Sequence, residues 1–143
     1  MSDKVTTVEI AASPEAVRAA ILDLEGYPTW QREMKKVTVL KRDDAGRPRT
    51  VAFDIAVAGQ AANYTLEFSY PAPDTIKSTL IDGSLITKQD QIYVLTDLGG
   101  KTRLEYQLDI DIKWPVPDFM LTAIVNKGVK TNVAGIKKNA EAR

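Results

Sequence analysis

The side chains that could do chemistry in this sequence are few, and most of them are neutral. Tyr64, Tyr93 and Tyr106 sit on the apolar side of alternating runs, and Asn132 falls at the centre of the apolar face of a long helical pattern. A phenol in apolar surroundings usually finds a hydrogen-bond partner, and an unpaired amide there costs about 1 to 3 kcal/mol. Such groups can orient the polar end of a small molecule, or they can bond to a neighbouring strand or a buried water; the residue types leave both open. Acid–base and metal chemistry have less to work with. The chain has no His and no Cys, which removes the commonest general base, the commonest metal ligand, a thiol nucleophile and a disulfide framework. Asp54 and Glu67 fall on the outward parity of their strands and are read as solvated, so no catalytic residue is assigned. No Gly-rich phosphate loop precedes a helix and no metal-ligand spacing occurs, so neither cofactor nor metal is expected.

Those residues must be held by the elements around them. At 143 residues, 44% hydrophobic and 27% charged, the chain is expected to form one globular domain over 1–143 with a substantial core. Lys plus Arg equals Asp plus Glu at 19 each, which gives no reason to expect nucleic acid. The polar start MSDKVTTVEI has no signal-peptide core and no apolar run is long enough to span a bilayer, so a cytoplasmic protein is expected. Monomer and homodimer are both open.

Lys4 to Ile10 reads as a strand. Ser13 then caps a helix that starts on Pro14 and runs to about Leu24, with an acid in the first turn. Gly26 and Pro28 stop it, and Tyr27 to Trp30 forms a short second helical turn. An ordinary loop does not need a Tyr and a Trp, so this aromatic turn is expected to cover apolar surface, either as core filling or at the mouth of a cavity. Six strand runs follow: Met34 to Arg42, Arg49 to Ala58, Ala62 to Tyr70, Thr75 to Ile81, Leu85 to Leu98 and Thr102 to Lys113. Between them stand hairpin-type turns such as Asp43-Asp-Ala-Gly46 and Gly99-Gly100.

Period two fixes which side chains turn inward. Leu104, Tyr106, Leu108, Ile110 and Ile112 share one face of the last strand; Val51, Phe53, Ile55 and Val57 repeat the pattern, as do Tyr64, Leu66, Phe68 and Tyr70. In Leu85 to Leu98, Tyr93 and Leu95 compete with Ile92 and Val94, and Tyr93 is placed inward. After Trp114-Pro-Val-Pro117 a helix runs from about Asp118 to Ala142, with Leu121, Ile124, Val125, Val129, Val133 and Ile136 on one side and Lys127, Lys130, Lys137 and Lys138 opposite. The lysines read as a solvated face, with transient contact to anionic lipid headgroups as the alternative. Gly128 and Gly135 lie on or beside the apolar side, where they permit close packing or leave room for a bound molecule.

Strand, two helical segments, six antiparallel strands and a long C-terminal helix describe an α+β helix-grip fold, a curved seven-stranded antiparallel sheet around the helix with the short segments closing one end. In this order the chain resembles the START-like superfamily, in particular its polyketide cyclase/dehydrase and coenzyme Q-binding branch. The resemblance is carried by IAASPEAV (Ile10 to Val17), DLEGYPTWQREMKKVTVL (Asp23 to Leu40), YVLTDLGGKTRLEYQLDIDI (Tyr93 to Ile112) and WPVPDFM (Trp114 to Met120), and it covers nearly the whole chain. It implies a deep cavity between sheet and helix that takes a lipid, sterol, quinone or polyketide. The residues expected to line it are Trp30, Phe53, Ile55, Tyr64, Leu66, Phe68, Tyr93, Tyr106, Leu108, Leu121, Ile124, Val125 and Asn132. A binding protein for a hydrophobic small molecule is the favoured function. The alternatives are a polyketide cyclase, aromatase or dehydrase, which needs a positioned acid, base or oxyanion site, and a regulator without a ligand.

Overall fold

In the computed structural model, which describes residues 5–57, 59–113 and 115–143, the alternating runs become strands. They are β1 (Val5–Ile10), β2 (Met34–Arg42), β3 (Pro48–Val57), β4 (Gln60–Ala72), β5 (Thr75–Gly83), β6 (Ile86–Asp97) and β7 (Thr102–Ile112). The expected contributions of Lys4, Ala58, Trp114 and the Val57 side chain lie outside the described residues. One antiparallel sheet runs in the order β1-β7-β6-β5-β4-β3-β2. Hairpins join β2 through β7 in succession, while the helical segments carry the chain from β1 at one edge to β2 at the other. Two strands extend beyond their expected ends, because β4 keeps pairing down to the turn through Ala56↔Ala61 and Val57↔Gln60, and β5 continues to Gly83 opposite Tyr64.

The free edge at β2 is irregular. Its register with β3 shifts between Met34 and Lys36, between Val39 and Lys41 and between Lys41 and Arg42, and Lys35, Lys36, Lys41 and Arg42 are exposed along it.

Helix α1 (Pro14–Leu22) starts where the sequence places it, with the Ala16 amide donating to Ser13 Oγ at 3.2 Å. It ends two residues earlier than expected, at Leu22, with Asp23 as its C-cap. A 3-10 segment, Leu24–Thr29, follows directly, so the second turn begins before Gly26 and closes on Trp30, with Pro28 inside it as expected. Pro28 has no amide to give, and the closing bonds come from Gly26 to Asp23 O and from Trp30 to Tyr27 O.

The long helix α2 (Asp118–Glu141) crosses the concave face. Its last turns are fixed both by packing and by polar ties. Ile136 and Ala140 are fully buried, Glu141 accepts from the Ala11 amide at 2.9 Å and from Lys137 at 2.5 Å, and Lys137 also donates to the Glu9 carbonyl at 3.2 Å. Lys137 is therefore tied to the body of the molecule, unlike its expected solvated neighbours. The first turns behave differently: Phe119 is 74% exposed and Met120 42%. Among the described residues no helix is long and apolar enough to cross a membrane.

Candidate functional site

Beneath the middle of α2 the sheet and helix do not meet, and a cavity of about 390 Å³ lies between them. The alternating strands supply its floor. Phe53 and Ile55 come from β3, Tyr64, Leu66 and Phe68 from β4, Tyr93 from β6, and Tyr106 and Leu108 from β7; Ile124, Val125 and Asn132 descend from α2. Tyr93 is buried, as is Leu95 two residues on, so the inward parity of β6 is the one placed from sequence. Phe53 stacks on Tyr64 with centroids 4.8 Å apart and planes at 14°, and Tyr93 leans on Tyr106 at 4.7 Å.

Trp30 and Leu121 are not among the wall residues. Trp30 is half-buried beside α2, tilted against Tyr27 with centroids 4.8 Å apart, and a Cβ at Gly135 would overlap its indole ring. The missing side chain of Gly135 lets the indole lie on the helix backbone, so Trp30 fills packing space at the closed end. Tyr27 is the member of the aromatic turn that reaches the wall, with its hydroxyl donating to the Ile21 carbonyl at 2.7 Å. Gly128 has no such neighbour and is exposed. It lines the cavity, and a Cβ there would meet nothing within 4 Å.

The polar groups of the wall form short chains. Asn132 is bound at both ends of its amide: Gln31 Nε2 donates to its oxygen at 2.8 Å, and its own Nδ2 donates to the Tyr93 hydroxyl at 3.0 Å. The strand and turn partners hold it within the scaffold. A second chain runs from the Tyr106 hydroxyl, which donates to Gln91 Oε1 at 2.5 Å, to Gln91 Nε2, which donates to Ser78 Oγ at 2.9 Å. Gln89 stands two residues before Gln91 on the same face, beside the Tyr64 hydroxyl.

Gln31, Gln89 and Gln91 were not anticipated as wall residues. The signal for two of them was present, since placing Tyr93 inward with period two also turns Gln91 and Gln89 inward. Gln31 lies beyond the aromatic turn, where no periodicity speaks.

Burial raises every phenol of the wall. Tyr27 and Tyr106 are held well above the ordinary value, and Tyr64 is raised although the Gln89 amide partly offsets its desolvation. Tyr93 is pushed up to about 12 by burial, against the favourable bond from Asn132. All four stay protonated near neutrality and can donate, but none is poised to remove a proton. Among the described residues, charge enters the wall only with Glu33, half-buried, and Lys127, exposed. Among the described residues no cluster of three or more carboxylate or other donor side chains could hold a metal.

A curved antiparallel sheet gripping a long helix over such a cavity is the architecture of START-like proteins. Residues 2–141 match the family described as polyketide cyclase / dehydrase and lipid transport, and the chain belongs to that family. Among solved structures it is similar to a START superfamily protein from Mycobacterium smegmatis, at 31% identity over 97% of each chain and a TM-score of 0.86. It shares its fold with the Zhui aromatase/cyclase of a Streptomyces species, at 20% identity over 98% of this chain and 93% of that one, TM-score 0.82. A Thermus thermophilus protein shares it too, at 20% identity over 96% of both chains with a TM-score of 0.80. No curated protein sequence matches the chain.

Proposed function

We propose that the protein binds one small hydrophobic molecule in the cavity between the sheet and α2. The observation that carries this reading is the cavity itself: about 390 Å³ walled by aromatic and aliphatic side chains with a few neutral polar groups, within the range of sites that enclose small organic ligands. Burial of apolar area supplies the affinity at roughly 25 cal/mol per Å² of surface removed from water. A close-packed interior would leave no such space.

The enzymatic alternative, a cyclase, aromatase or dehydrase, draws on the fold shared with an aromatase/cyclase. It needs a positioned acid or base, or a preorganised site for a developing oxyanion. The phenols of the wall are raised and Glu33 lies at its half-buried margin, so the wall offers hydrogen-bond donors but no buried base, and simple binding is the favoured reading.

Titration of the purified protein with the neutral dye Nile red tests the proposal, with native mass spectrometry checking for a co-purified lipid. Saturable binding at about one site is expected. Absence of saturable binding, with no adduct in the mass spectrum, would leave the proposal without support.

A further inference from the structure

We infer that the ligand carries a neutral hydroxyl, an alcohol or a phenol, received by Gln89 and Tyr64. This inference rests on the cavity-binding reading above and sharpens it. Gln89 is 7% exposed, and its Oε1 is a buried side-chain acceptor with no hydrogen-bond partner among the described residues. Other polar groups of the same wall are taken: Asn132 by Gln31 and Tyr93, Gln91 by Tyr106 and Ser78, and the Tyr27 hydroxyl by the Ile21 carbonyl. Buried amides are normally satisfied, so an orphan of this kind calls for a missing partner.

An unmet oxygen needs a donor. A ketone, an ether or a quinone carbonyl offers none, whereas a hydroxyl can give its proton to Oε1 and accept one from the Tyr64 phenol or from the Gln89 NH₂ group. Oε1 is buried as it stands, so meeting a ligand hydroxyl requires a turn about the terminal torsion of Gln89, which is broad in glutamine. Charge points the same way. With Glu33 and Lys127 as the charged wall residues, neither of them buried, a carboxylate drawn inside would lose its water without gaining a buried counter-ion. The neutral hydroxyl is the polar group that the wall can match in both proton directions.

Three ligands that differ only at the polar end decide the matter. Decanol, decyl methyl ether and decanoate are each used to displace Nile red from the intact protein at neutral pH. Decanol is expected to bind roughly tenfold more tightly than the ether, the factor one satisfied buried bond provides, and decanoate no better than the ether. In Gln89→Leu, and in Gln89→Met as a second variant with less change of shape, the preference of decanol over the ether should shrink to less than about twofold, with melting temperature confirming that each variant is folded. If Nile red binds but decanol and the ether displace it equally, Tyr64 donates to the amide instead and the hydroxyl inference fails while the cavity reading stands. If decanoate binds best, the inference also fails. If Nile red does not bind, both fail together.

Discussion

The two halves of α2 rest on the same sheet in opposite ways. The C-terminal half is anchored. Ile136 and Ala140 are fully buried, Gly135 lies against the Trp30 ring, and Glu141 and Lys137 bind the backbone of the β1–α1 region. The N-terminal half stands over a cavity, with Gly128 facing empty space and Phe119 and Met120 exposed. The sequence places a glycine in each half, yet one permits a close contact with a ring and the other stands beside open space. A glycine in a helix therefore has no single meaning; what decides it is the residue that arrives from elsewhere in the fold.

The strongest way to separate the halves is pH. A phenol whose folded value is raised adds stability that is complete below the unfolded value of 10.0 and is lost as pH rises through the folded value. Tyr93, raised to about 12, alone represents roughly 3 kcal/mol, and Tyr27, Tyr64 and Tyr106 add to it in the same direction. Melting temperature should fall steeply above about pH 10, with tyrosinate absorbance rising together with unfolding. Phenols that ionise in the still-folded protein near their ordinary value would contradict the buried wall. The anchored half fails at the other end. The Glu141 carboxyl is held low by Lys137 and the Ala11 amide, so its stabilisation is present above the ordinary carboxylate range and is lost as pH falls through the folded value.

Gly135→Ala comes next. Overpacking against Trp30 should cost about 1 to 3 kcal/mol, and adding Trp30→Ala should recover part of the loss, so the double variant is less destabilised than the sum of the singles. Urea unfolding of the three proteins measures this, and an unchanged Gly135→Ala protein would remove the contrast between the halves.

Asn132→Leu should cost roughly 1 to 3 kcal/mol, because it strands the Gln31 amide and the Tyr93 hydroxyl. Melting temperature and Nile red affinity, measured on the same sample, assign its role. Lost stability with unchanged affinity fixes Asn132 in the scaffold; retained stability with weakened binding makes it a ligand anchor.

Gly128→Ala is a smaller change of opposite sign. It should stabilise the helix by up to about 1 kcal/mol, while Gly128→Leu should also fill the cavity and suppress Nile red binding. Smallest is Phe119→Ser, expected within about 0.5 kcal/mol of the parent. A large loss there would mean that the exposed turn is packed in solution.

Much of this architecture was legible in the residues. Strict alternation in β3, β4 and β7 turned the correct faces inward, and Ser13-Pro14 marked the start of α1. The run Leu85 to Leu98 looked ambiguous for a physical reason. Its inward face carries Gln89 and Gln91 as well as Tyr93 and Leu95, so hydrophobicity alone does not distinguish its two sides. The closed end was the least legible part. Trp30 announces buried aromatic area, but its resting place depends on a missing Cβ at Gly135, more than a hundred residues away in the chain. Asn132 was recognised as a group in need of partners, and one of those partners, Gln31, sits in a turn that carries no pattern.

The irregular border at β2 has a consequence for crowded conditions. An open sheet can recruit a foreign strand along any row of free amides and carbonyls, which is the first step toward ordered aggregates. Here the exposed cations Lys35, Lys36, Lys41 and Arg42 and the repeated slips in pairing deny a newcomer a straight template. At the opposite border, Lys137 already occupies the Glu9 carbonyl of β1. A cavity gives up packing energy, and two blunted borders of this kind are the devices by which an open sheet resists templating its own polymer.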